Sequence, residues 1–124
     1  MKIFKIKWFN QWVLKEKITD NELLQAIKEI EQGLIDANLG GNVYKKRVSY
    51  QGRGKRSGAR TLIALKVKDK AFFVYGFSKN QQDNINEREL KALKQLAKEL
   101  LRYDDEQLRN AMAIGELIEV LGYE

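Results

Sequence analysis

The chain has no histidine, no cysteine and no proline. Without histidine it lacks the usual general base and the commonest metal ligand. Any acid–base chemistry must then use Lys, Arg, Tyr, Asp or Glu. Without cysteine there are no disulfides, no thiolate metal sites and no Cys nucleophile. Without proline, helix ends must be set by Gly, Asn and Asp. No apolar run approaches the ~20 residues that a membrane helix needs. The first residues interleave Lys2, Lys5 and Lys7 with Ile3, Phe4 and Ile6, unlike the continuous apolar stretch of a signal peptide. The reading is an intracellular, cytoplasmic protein with no membrane role. No metal or cofactor is expected.

What is present is positive charge in one place. The 124 residues suit a single domain spanning 1–124. Net charge is +6, with 23 basic and 17 acidic residues. Residues 43–68 hold nine basic residues and no acid: Lys45, Lys46, Arg47, Arg53, Lys55, Arg56, Arg60, Lys66 and Lys68. The other 14 basic residues face all 17 acids, so the remainder is −3. A merely solvated surface mixes the signs. Segregation on this scale marks a surface for a polyanion.

The apolar pattern predicts the elements. Alternation over 2–7 predicts a half-buried strand with Phe4 and Ile6 on one face and Lys5 and Lys7 on the other. Trp8, Phe9, Trp12 and Val13 predict a short helix, with the tryptophans in the core. Thr19 or Asp20 caps a second helix, with Glu22 in its first turn and an apolar stripe of Leu23, Leu24, Ile27 and Ile30. Gly33 ends it, and residues 39–42 make a turn. Strands follow at 43–50, 60–68 and 71–77, the last nearly all apolar and so central. A long helix capped by Asn84 or Asn86 runs to about Arg102, a last helix runs from Asp104 to Gly115, and 117–120 forms an extended tail. Three successive strands favour an antiparallel meander. The expected class is α+β: a small antiparallel sheet (strand, two helices, three-strand meander) with helices over one face.

Lys45 and Arg47 are two apart and share a strand face, while Lys46 points the other way. Arg60 opens the next strand and Lys79 follows the third. If the meander forms, Lys45, Arg47, Arg60 and Lys79 converge without paired carboxylates, and a phosphate relieves their repulsion. Arg53, Lys55 and Arg56 fit a solvated loop that attracts phosphate generally. Lys46, Lys66 and Lys68 can also guard a sheet from edge pairing. Gly52-Arg53-Gly54 lacks the Gly-Lys-Ser/Thr that a phosphate loop needs before its helix. Asp104-Asp105-Glu106 fits a helix N-terminus rather than a metal site. Tyr44, Tyr50 and Tyr75 suit either base stacking or strand packing.

Three stretches carry a family likeness: residues 39–48 (LGGNVYKKRV), 54–62 (GKRSGARTL) and 72–80 (FFVYGFSKN). With Lys7-Trp8-Phe9, Trp12, residues 33–36, Asn84-Ile85 and residues 115–120, the chain resembles the HigB-type branch of the RelE/ParE toxin superfamily over nearly its whole length. The resemblance implies a RelE-like fold and a toxin of a type II toxin–antitoxin pair. Such a toxin acts as a metal-independent endoribonuclease on mRNA in the ribosomal A site, inhibits translation, and is neutralised by a cognate antitoxin protein. In the implied reaction the ribose 2′-hydroxyl attacks the adjacent phosphate. Arg60 then matches the phosphate-stabilising arginine, Lys45 and Arg47 a basic pair on the preceding strand, and Lys79 the basic position after the last strand. Lys45 or Lys79 would deprotonate the 2′-hydroxyl or protonate the leaving oxygen. Lys46, Arg53, Lys55 and Arg56 would bind RNA around them. The residue before Arg60 is Ala59, where this branch often has an aromatic, and no clear tyrosine appears in the helix after Lys79. The superfamily also contains non-enzymatic gyrase poisons, and an inactive RNA-binding relative is a third reading. The four-cation set favours the nuclease.

Overall fold

The N-terminal alternation forms β1, Lys2–Ile6, in the computed structural model, which describes residues 1–50, 58–78 and 84–121. Helix α1, Lys7–Glu16, follows at once and stops at Lys17, which adopts left-handed φ of 60°. Helix α2, Asp20–Glu31, starts at a capping box: the Glu22 N–H donates to the Thr19 side chain, and the Thr19 N–H donates to the Glu22 carboxylate. Next come β2, Ala37–Asn38, β3, Val43–Val48, β4, Ala59–Lys66, and β5, Lys70–Ser78. Asn86 caps α3, Glu87–Leu100, and Asp104 caps α4, Asp105–Ala113, with a second capping box to Gln107. Strand β6, Leu117–Glu119, ends the order.

The fold is α+β, with a six-stranded sheet in the order β2-β3-β4-β5-β1-β6. The antiparallel meander predicted from the sequence is β3-β4-β5. Three features were not foreseen. Strand β1 lies parallel to β5, residues 117–119 pair with β1 as β6, and the two-residue β2 edges the other side. The helices also cover both faces of the sheet rather than one. Ile3, Ile63 and Phe73 pack with α1 and α2, whereas Phe4, Leu62 and Phe72 pack with α3 and α4. This is why β5 is nearly all apolar: Phe72 stacks on Phe4 with centroids 5.3 Å apart, and its neighbour Phe73 stacks on Phe9 at 5.1 Å on the opposite face. Each such burial contributes roughly 2–3 kcal/mol.

Two readings of single residues change with the second layer. Lys5 does not face solvent: it is buried, and its Nζ lies 3.0 Å from Asp20 Oδ1 at the start of α2. Trp8 is not core but 78% exposed, because it falls on the outer side of α1. Trp12 does pack inward, half-buried, over β5. A Cβ at Gly76 would lie 2.3 Å from its ring, so glycine is required for that approach.

Candidate functional site

Strand register decides which of the basic residues meet. In β3 and β4, Arg47 stands directly opposite Arg60, and Lys45 stands opposite Leu62. Val43, Leu62 and Ala64 belong to the core under α3, so Lys45, Arg47 and Arg60 project on that same face by alternation. Together with Asp36 they line a cavity of about 280 Å³ just beyond the part of the sheet that α3 covers. Directly opposed side chains on adjoining strands lie about 5 Å apart at Cβ, and like charges there are unfavourable.

Asp36 is what makes this cluster tolerable, and the expectation of cations without a carboxylate is corrected by it. Its Oδ1 accepts from Arg47 Nε at 2.9 Å and its Oδ2 accepts from the Arg47 backbone N–H at 2.6 Å. The Asp36 N–H donates to the Lys45 carbonyl at 3.1 Å. Strand β2 begins only at Ala37, opposite Lys45, so the Asp36 side chain takes the N–H that a longer strand would have bonded. Burial would raise the Asp36 pKa. The Arg47 backbone and side-chain hydrogen bonds and the charges of Arg47 and Lys46 outweigh this, and hold the carboxyl below its ordinary 3.8. Arg60 is braced by its own turn, donating from Nη1 to the Gly58 carbonyl at 3.1 Å. The described lining residues are three cations and one carboxylate, a positive excess, with two guanidiniums at fixed positions. Such an arrangement can grip a phosphate and stabilise charge that develops on it.

Lys46 takes a different place from the one expected of an RNA-binding residue. Its neighbours on β3 face α3, so it faces α2, where it is 3% exposed with Nζ 2.8 Å from Glu29 Oε1. Its carbonyl accepts from the buried Thr61 hydroxyl at 2.9 Å. Lys46 therefore ties the sheet to α2 and presents no ammonium to solvent. The candidates Lys79, Arg53, Lys55 and Arg56 lie outside the described residues. Of the tyrosines, Tyr50 is buried and Tyr44 packs toward α1 and α2. Tyr75 stands on the site's face, opposite Leu62, with its hydroxyl 3.1 Å from Glu89 Oε2. Phe77, beside it, is opposite Arg60.

Asp36 was missed as a site residue by the sequence reading. One signal was available: it is the only acid between Glu31 and Asp69.

A family model described as the RelE toxin of the RelE/RelB toxin–antitoxin system matches residues 1–120. No curated protein matches the chain.

Proposed function

The chain belongs to the RelE toxin family, and from that premise we propose that it is the HigB-type toxin of a type II pair, cutting mRNA in the ribosomal A site. The observation that carries this reading is the opposed pair Arg47 and Arg60 with Lys45 beside them, in a cavity whose described lining residues are mostly cationic. In the proposed reaction the ribose 2′-oxygen forms a bond to the adjacent phosphorus and the bond to the 5′-oxygen breaks. The 2′-hydroxyl loses its proton and the 5′-oxygen gains one, leaving a 2′,3′-cyclic phosphate and a 5′-hydroxyl. Negative charge gathers on the non-bridging oxygens in the transition state. Arg60 and Arg47 supply the preorganised donors that stabilise it.

Lys45 is the described candidate for a proton-transfer role, and Lys79 is the second, on sequence grounds alone. Asp36 acts as a positioning residue that fixes the Arg47 guanidinium. Arg53, Lys55 and Arg56 add general phosphate attraction. Lys46, held by Glu29, has a structural role in this scheme. The proposed partners are a cognate antitoxin protein and mRNA on the ribosome, with the cytoplasm as the place of action. Among the described residues no helix is long and apolar enough to cross a membrane.

The test is induced expression followed by mapping of mRNA 5′ ends. The expected result is new 5′-hydroxyl ends inside translated frames, absent with a folded Arg60→Ala variant. Growth arrest with intact mRNA and damaged DNA would overturn the reading in favour of a gyrase-directed toxin.

A further inference from the structure

A second cationic hollow lies at the opposite ends of β3 and β4. It encloses about 780 Å³, and its walls include Gly41 and five basic residues: Lys66, Lys91, Lys94, Lys98 and Arg102. Among the described residues no carboxylate lines it, and Leu101 is its one large apolar residue. The sequence reading passed over it because α3 also carries Glu87, Glu89 and Glu99, which hide the lysines in a charge count. Helical pitch separates them. Lys91, Lys94 and Lys98 recur at i, i+3 and i+7 and so share a flank, while Leu93, Leu96, Ala97 and Leu100 turn toward the sheet. Arg102 extends the flank just past the helix end.

The turn before β3 shapes the hollow. Gly40 and Gly41 adopt left-handed φ of 83° and 62°. A Cβ at Gly41 would lie 3.1 Å from Lys94 Cγ, so the bare turn seats the aliphatic stem of Lys94. Among the described residues, no ion pair engages Lys91, Lys94, Lys98 or Arg102. Lys66 has only a loose 3.7 Å contact to Asp69, both largely exposed, an arrangement of little strength. Five cations with no acid among the described lining residues attract an anionic occupant.

We propose that this hollow is a second RNA subsite, which holds the phosphate backbone of the single strand flanking the nucleotides at Lys45, Arg47 and Arg60. The choice of RNA rests on the proposed function of that first site. Two observations favour it over an acidic peptide, its few apolar contacts and its place relative to the first site. A helical peptide in a groove is anchored by several apolar contacts, and Leu101 alone offers one. Among the described residues no aromatic lines the hollow for base stacking, so RNA held there is contacted at phosphate, independent of sequence. The two sites also lie at the two ends of β4: Arg60 and Lys66, six residues apart, are about 20 Å apart at 3.3 Å per residue, and since α3 covers Leu62 and Ala64 between them the RNA strand passes around that helix. A path of at least that length takes about six nucleotides or more.

The experiment measures binding of the full chain to a twelve-nucleotide single-stranded RNA bearing 2′-O-methyl groups, which blocks 2′-hydroxyl attack, across a salt series. The variant is K91Q/K98Q, which keeps the Lys94 stem in place and whose thermal melt should match the parent's. It removes two ammonium groups that would each neutralise a phosphate. The slope of log K against log salt should therefore flatten by about 1.4, at about 0.7 per phosphate. An excess of poly-L-glutamate should fail to displace the RNA. An unchanged slope in the folded variant overturns the proposal. So does equal competition by polyglutamate, which would assign the hollow to an acidic protein segment, or a stronger lysine dependence with duplex RNA. If mRNA stays uncut in cells while the slope flattens, the nuclease reading fails and the subsite stands. If mRNA is cut and the slope does not move, the subsite fails alone.

Discussion

Two cationic regions sit at opposite ends of the same pair of strands, and they are built differently. At the Arg47–Arg60 end the charges are few and their positions are fixed. Strand register opposes the two guanidiniums, Asp36 clamps one and the Gly58 carbonyl braces the other. At the Lys66 end the charges are more numerous, most stand on long flexible stems, and carboxylates are absent from the walls among the described residues. Fixed donors suit stabilisation of a transition state, where geometry must exist before charge develops. Mobile lysines suit retention of a polyanion, where the gain comes from counterion release and tolerates imprecise placement. The contrast predicts that substitutions at one end change rate, and substitutions at the other change affinity and its salt dependence.

The largest effect should come from a residue that belongs to neither region although it sits between Lys45 and Arg47. Lys46→Ala removes the cation that faces the buried Glu29 carboxylate and should cost about 3–5 kcal/mol in urea unfolding. The double variant Lys46→Met with Glu29→Leu should recover most of that loss. A Lys46→Ala protein of normal stability and weakened RNA binding would place Lys46 back in the phosphate surface. Next in size, Arg60→Ala should lower mRNA cleavage by about 10²–10³, the loss of one oxyanion-type donor, with an unchanged melt. If K91Q/K98Q lowered cleavage as much at saturating RNA, the division between rate and affinity would collapse.

The smallest effect concerns the clamp. Asp36→Asn removes a charged acceptor that is still partly exposed, and should destabilise the fold by about 1 kcal/mol at pH 7. Folding holds the Asp36 carboxyl below its ordinary 3.8. Its contribution is therefore complete above that value and fades as pH falls through the lower folded value. Urea unfolding at pH 7 and at pH 3 should show the stability gap between parent and Asp36→Asn narrowing on acidification. A gap that is constant with pH would mean that Asp36 acts through its backbone geometry and not its charge.

Much of this architecture was legible in the order of residues. Thr19 with Glu22, and Asp104 at the head of the last helix, marked helix starts because their side chains meet backbone N–H groups within one turn. The meander and the shared face of Lys45 and Arg47 followed from strand periodicity, which is also local. The parallel β1–β5 pair was not legible, since it joins segments almost seventy residues apart and no local pattern records a partner. For the same reason Lys5 looked solvent-facing until α2 brought Asp20 to it, and Trp8 looked buried until α1 turned it outward.

The sequence by itself determined the family resemblance, the elements and the central excess of positive charge, because these depend on residue type and on spacing within a few positions. Only the tertiary structure decided how that charge is divided. The second helical layer turned Lys46 into an internal ion pair, the short edge strand brought Asp36 onto Arg47, and helix pitch set the α3 lysines beside Lys66. Each of these outcomes depends on which distant segment covers a face, and charge interacts through space and not along the chain.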